Sequence, residues 1–195
     1  MKKELSEMTL AELWELFPIY LTAPDPNWNK QYCEEENLLT SCLPYVSKIR
    51  ISHIGSTAID NIWAKPIVDI LVEIPEDLSM GTYKEVLLLN NYLCHHEERD
   101  RMDFNKGYTK DGFADKVFHL HLRFIGDNDE LYFRDYLNQH EEVAKEYEKL
   151  KLSLWPQYEH DRDGYTNAKG EFIQKYTIIG KREDPNKYVN LKGEQ

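Results

Sequence analysis

The chain has 195 residues and a net charge of −11, from 24 basic and 35 acidic side chains. That length buries one good core, so a single domain is expected, and the acidic balance excludes a general nucleic-acid binder, which needs a basic face to displace counterions. Hydrophobic residues at 41% and aromatics at 12% exclude a disordered chain.

Thr9 and Glu12 form a capping box, and Leu10, Leu13, Trp14 and Phe17 predict a first helix that Pro18 stops. Residues 1–22 are therefore expected as a helical extension to one domain over 23–182. Ala23 to Asn27 reads as a turn-rich connector, and Trp28 to Leu43 as a helix with Tyr32, Leu38, Leu39 and Cys42 inward. The period then changes. Lys48 to Ile54 alternates as a strand does, and Pro66 and Pro75 enclose a β-branched run from Ile67 to Ile74. A helix is predicted over 83–90, with strands over 92–97, 102–108 and 117–125, the last two joined by the loop Thr109 to Gly112. Val143, Tyr147, Leu150 and Leu154 share one helical face. A last helix over 167–181 turns Phe172, Ile173 and Tyr176 inward, and 183–195 reads as a polar tail. The elements predict an α/β mixture of α+β type: a small mixed sheet of about five strands flanked by helices, with helices at both ends.

No apolar run reaches the roughly 20 residues of a membrane helix. Glu4, Glu7, Glu12 and Glu15 interrupt any signal-peptide core. Cys33, Cys42 and Cys94 make no close pair and are expected as reduced thiols of a cytoplasmic protein. Acids crowd the segment from Asp127 to Glu148, where they read as a solvated helix face.

The chemistry-bearing stretch is His53-Ile54-Gly55-Ser56-Thr57-Ala58-Ile59-Asp60, a strand that runs into a Gly-Ser turn and a capped helical start. Such a turn can offer backbone N–H groups to an anion. Asp69 lies inside the following apolar strand, where a carboxylate is costly unless paired or metal-bound. Strand alternation places Asp69, Leu71 and Glu73 on one face. It likewise places His119, His121 and Arg123 on one face of the strand over 117–125. Two histidines at i and i+2 can share a metal.

Together, His53 to Ile59, Lys65 to Val72 and His119-Leu120-His121-Leu122 resemble the GrpB-like family. So do Phe133 to Leu137, Glu146 to Lys151 and the spacing of Tyr165, Thr166, Lys169, Phe172 and Ile173, in the same order from about Asp25 to Ile179. The resemblance implies the nucleotidyltransferase superfamily fold. It also implies a Gly-Ser turn and an Asp-x-Asp strand, with carboxylates that hold divalent ions around a triphosphate. Gly55, Ser56 and Asp69 match this pattern, but Leu71 stands in the second acid position. One Asp with two His suits Zn²⁺, Mn²⁺, Ni²⁺ or Fe²⁺ better than Mg²⁺.

The expected function is binding of a nucleotide or another phosphorylated small molecule. Gly55, Ser56, Thr57, Lys65, Lys106, Arg134 and Lys169 would contact phosphate. Asp69, His119 and His121 would bind a divalent metal or act as acid and base, with nucleotidyl transfer as the enzymatic version. The alternative is a catalytically degenerate member that acts as a ligand-binding or protein-interaction module.

Overall fold

In a computed structural model, which describes residues 3–189, five strands form one mixed sheet. They are β1 (Arg50–Ile54), β2 (Val68–Ile74), β3 (Leu93–Glu97), β4 (Arg101–Thr109) and β5 (Gly112–Phe124), in the spatial order β1-β2-β5-β4-β3. β2 and β5 are parallel neighbours, while the other pairs are antiparallel. The β2–β5 register sets Asp69 beside His119 and Leu71 beside His121. Two polar positions separated by 50 residues thereby become adjacent on one face.

The pleat divides the sheet into unlike faces. Val68, Ile70, Val72 and Ile74 of β2 join Phe118, Leu120 and Leu122 of β5 and Met102 and Phe104 of β4 in the main core. Two helices cover that face, α2 (Asn27–Cys42) and α3 (Met80–Leu89), which contribute Trp28, Leu39, Tyr83 and Leu87. Each large side chain so buried contributes about 1.5–3 kcal/mol. The opposite face carries Asp69, His119 and His121. The C-terminal helices α4 (Asp129–Gln139), α5 (Glu141–Leu154), α6 (Arg162–Ala168) and α7 (Gly170–Glu183) close over it. A second cluster there joins Ile59, Ile62, Phe133, Leu137, Val143 and Tyr147.

The chain ends differ from expectation in how they are held. The Thr9–Glu12 capping box forms and starts α1 (Leu10–Leu16), yet α1 buries none of its residues and Leu10 is 56% exposed. The extended residues after it anchor this segment instead. Phe17, Ile19 and Leu21 are buried, Ile19 N–H donates to the Glu159 carbonyl at 2.8 Å, and Thr22 bridges Ala64. At the other end the expected tail is docked at least as far as Tyr188. Its hydroxyl bonds Asp135, and its ring lies 5.1 Å from the Arg50 guanidinium. The rest of the expected tail, residues 190–195, lies outside the described residues. The β4–β5 hairpin is also longer than its apolar run suggests, pairing through to Thr109 and Gly112. Gly107 sits at φ +88° at the break in register, where a Cβ would meet the Lys116 carbonyl.

Candidate functional site

A cavity of about 840 Å³ lies between the polar face of the sheet and α4–α7. Its floor is the junction of β1 and β2. Gly55, at φ +70°, turns the chain out of β1, and a Cβ there would collide with Asp69 Oδ2. Glycine thus lets the Asp69 carboxylate press against the turn. Thr57 braces the turn from behind: its hydroxyl donates to the Ile67 carbonyl at 3.2 Å and meets His53 Nε2 at 3.0 Å. Ser56 lines the cavity, as does Tyr147.

The hydrogen bonds fix the state of His119. The Arg162 guanidinium, which only donates, lies 2.9 Å from His119 Nε2, so that nitrogen is the acceptor. His119 Nδ1 therefore carries the proton and donates to Asp69 Oδ1 at 3.0 Å. Burial pushes His119 down to about 4, keeping it neutral near pH 7. Burial alone would raise Asp69. The His119 hydrogen bond and the nearby charges of His121 and Lys65 reverse this and hold it at about 2, an ionised carboxylate. His121 is arranged otherwise. Its Nδ1 meets Asp103 Oδ1 at 2.8 Å, and Asp103 is held in turn by Arg123 at 2.6 Å. Burial would lower His121, but the Asp103 hydrogen bond and the Asp69 and Asp103 charges raise it. Its Nε2 has no hydrogen-bond partner among the described residues.

Four cations surround Asp69. Lys65 precedes β2, Lys151 comes from α5, Arg162 opens α6, and Lys169 joins α6 to α7; all line the cavity. Burial lowers Lys65 to about 7, helped by the charges of Lys169 and Arg162. Burial likewise lowers Lys151 to about 7 and Lys169 to about 8. Tyr165, fully buried, lies 4.3 Å below the Lys169 ammonium and 5.6 Å from that of Lys65. Two more carboxylates, Asp129 and Glu130, reach the cavity from the start of α4, and Asp129 is paired with Lys181.

The GrpB protein family model matches residues 18–178, most of the chain. The chain belongs to the GrpB family. It is 35% identical over 170 residues to the glutamate-rich protein GrpB of Alkalihalophilus pseudofirmus, covering 80% of this chain and 92% of that one. The crystal structure of the conserved protein GrpB from Enterococcus faecalis overlays with a TM-score of 0.72 and 26% identity, over 84% of this chain and 98% of that one. The Cid1 poly(U) polymerase with MgGTP bound overlays with a TM-score of 0.48 and 14% identity, over 73% of this chain and 44% of its own.

In this GrpB-family chain the cavity unites Gly55, Ser56, Lys65, Asp69, His119, His121 and Lys169 from the expected set. Three expected phosphate contacts fall elsewhere. Lys106 is on the opposite, apolar face, where its ammonium pairs with buried Glu35 at 2.7 Å and covers the Tyr92 ring. Arg134 is a brace: it donates to the His53 carbonyl at 2.7 Å, to Asp135 at 2.8 Å and to the Tyr188 hydroxyl at 3.0 Å. The Thr57 hydroxyl is turned away into the fold, as described above. Glu73, the carboxylate two residues beyond Leu71, is fully buried against Arg50 and Asn128.

The expected shared metal of Asp69, His119 and His121 does not fit these donors. Both His119 nitrogens are engaged, and His121 Nδ1 is turned to Asp103. Among the described residues no group of three His, Cys, Asp or Glu side chains is placed to hold a metal ion. No described helix is long and apolar enough to cross a membrane.

Lys151 and Arg162 stand outside the expected set, though the residue pattern marks both. Lys151 follows Val143 and Tyr147 at i+8 and i+4, so a lysine stands on a buried stripe. Arg162 precedes Tyr165 and the expected Lys169 at helical spacing. Asp103 becomes visible only through strand pairing, which sets it opposite His121.

Proposed function

We propose that this cavity binds the phosphate groups of a nucleotide or another phosphorylated small molecule. The observation that carries this reading is the cluster of Lys65, Lys151, Lys169 and Arg162 around one ionised carboxylate that is already bonded to His119. Partly desolvated cations without matching anions are costly, and a phosphate supplies the missing charge with strong, charge-assisted hydrogen bonds. The lysines and the arginine take the neutralising role usually given to a metal ion. The test is thermal denaturation with ATP, inorganic pyrophosphate and a sugar phosphate, each in EDTA. At least one should raise Tm in the native chain and not in the Lys65→Ala/Lys169→Ala variant. No rise with any of them overturns the reading.

A second reading, transfer of the bound phosphoryl or nucleotidyl group, is favoured by His121. Asp103 orients its ring, and the free Nε2 can take a proton from an attacking hydroxyl. His121→Gln should then abolish pyrophosphate release from a triphosphate while leaving binding intact. Undiminished release would rule His121 out as that base.

A further inference from the structure

The three cavity lysines are not equivalent. Lys151 donates its ammonium to the Trp63 carbonyl and lies 4.8 Å from the Tyr147 ring centre. Lys169 rests on the Tyr165 ring at 4.3 Å. Lys65 has neither kind of close partner: its ammonium makes no hydrogen bond or ion pair among the described residues, and the Tyr165 ring centre lies 5.6 Å away. The Tyr165 hydroxyl is itself fully buried without a hydrogen-bond partner among the described residues. One cavity wall thus carries a half-buried ammonium that no side chain pairs and a buried hydroxyl left unmatched, where buried polar groups are ordinarily satisfied. The backbone at Lys65 is firmly placed, since Ala64 is bridged to Thr22 and the Lys65 carbonyl accepts from Ile67 N–H at 2.7 Å.

We propose that Lys65 is a reactive amine that forms an imine with the aldehyde or ketone carbonyl of a phosphorylated small molecule held in this cavity. The proposal rests on the phosphate-binding reading above and names the substrate class. With a ligand that carries a carbonyl, Arg162 and Lys169, the cations beside Lys65, take the phosphate and Lys65 faces the carbonyl; a ligand without one, such as pyrophosphate, is met by Lys65 as well. Burial and the charges of Lys169 and Arg162, opposed by Asp69, bring Lys65 to about 7, so a large share of it is free amine near neutral pH. The lone pair of Nζ adds to the carbonyl carbon, making the C–N bond of a carbinolamine. The carbonyl oxygen then leaves as water with both hydrogens from the amine, and the C=N bond forms. No oxidant or metal enters the balance.

Pyridoxal 5′-phosphate joins an aldehyde to a phosphate and serves as the probe. The full chain is incubated with it at low stoichiometry, reduced with cyanoborohydride, digested and mapped by mass spectrometry. The label should concentrate on Lys65, increase as pH rises through about 7, and be suppressed by inorganic pyrophosphate. Unphosphorylated pyridoxal should label about tenfold less, the loss expected for one charge-assisted phosphate contact. Lys65→Arg keeps the cation and should abolish the label at this site. Label spread over surface lysines, or placed on Lys151 or Lys169 with Lys65 untouched, overturns the proposal, and the mapping in the native chain needs no variant. If pyrophosphate raises Tm while Lys65 stays unlabelled, imine formation is wrong and phosphate binding stands. Labelling of Lys65 that ignores both phosphate and pyrophosphate overturns the phosphate reading and, with it, the substrate class.

Discussion

The two faces of the sheet treat buried charge in opposite ways. On the α2 face Lys106 is met by Glu35, which also accepts the Tyr92 hydroxyl at 2.9 Å, and the group closes on itself inside the core. On the face under α4–α7 Lys65, Lys151, Lys169 and Arg162 gather around Asp69, whose carboxylate is already bonded to His119. A closed ion pair is architecture, whereas an unbalanced cluster lining an open cavity is the feature on which the proposed anion binding rests.

The largest expected effect separates these faces. Lys65→Ala/Lys169→Ala removes two charge-assisted contacts, each worth about 1.5–3 kcal/mol, so pyrophosphate affinity should fall at least about 100-fold. Calorimetry checks this, and a smaller loss would mean these lysines are not the anion site. Next, Lys106→Ala leaves Glu35 buried without its cation and should cost about 2–3 kcal/mol of stability in urea unfolding. Its pyrophosphate affinity should stay within about twofold of the native value; weaker binding would place Lys106 in the site after all.

The pH response is smaller and has a defined sign. Burial holds Lys65 and Lys151 near 7 and Lys169 near 8, against the ordinary lysine value of 10.5. Between those limits the unfolded chain binds more protons, so the lysine contribution to stability of the empty protein rises with pH there. Bound phosphate restores the protons. Its affinity should therefore fall as pH rises past about 7, by up to about tenfold per pH unit for each proton taken up. Affinity that climbs over the same range would show that the lysines are charged before the ligand arrives. The smallest effect concerns the two histidines. In NMR titration His119 should stay neutral down to about pH 4, while His121 titrates above the ordinary histidine value. Asp103→Asn should lower His121 and leave His119 unmoved.

Much of this was legible in the chain itself. The alternation of β2, the proline bounds and the apolar stripes gave the elements, because periodicity reports which side of an element is buried. The Gly55-Ser56 turn and Asp69 could be linked because a carboxylate inside an apolar strand demands a neighbour. Lys106 lies off the site, and its parity is readable in the chain: it follows Met102 and Phe104 at even spacing, and both are buried on the α2 face. Arg134 could not be placed from local pattern, since its partners His53 and Tyr188 lie 81 and 54 residues away. The cations from α5 and α6 reach Asp69 only through tertiary packing. The saturation of His119 by Arg162 and Asp69 likewise depends on partners brought in by the fold.

The decisive measurement is titration calorimetry of inorganic pyrophosphate into the full chain in EDTA near pH 7, repeated in buffers of different ionisation enthalpy. Binding with net proton uptake is the predicted result, with both lost in Lys65→Ala/Lys169→Ala. Absence of binding, binding that requires an added divalent metal, or binding that persists in the double variant would contradict it.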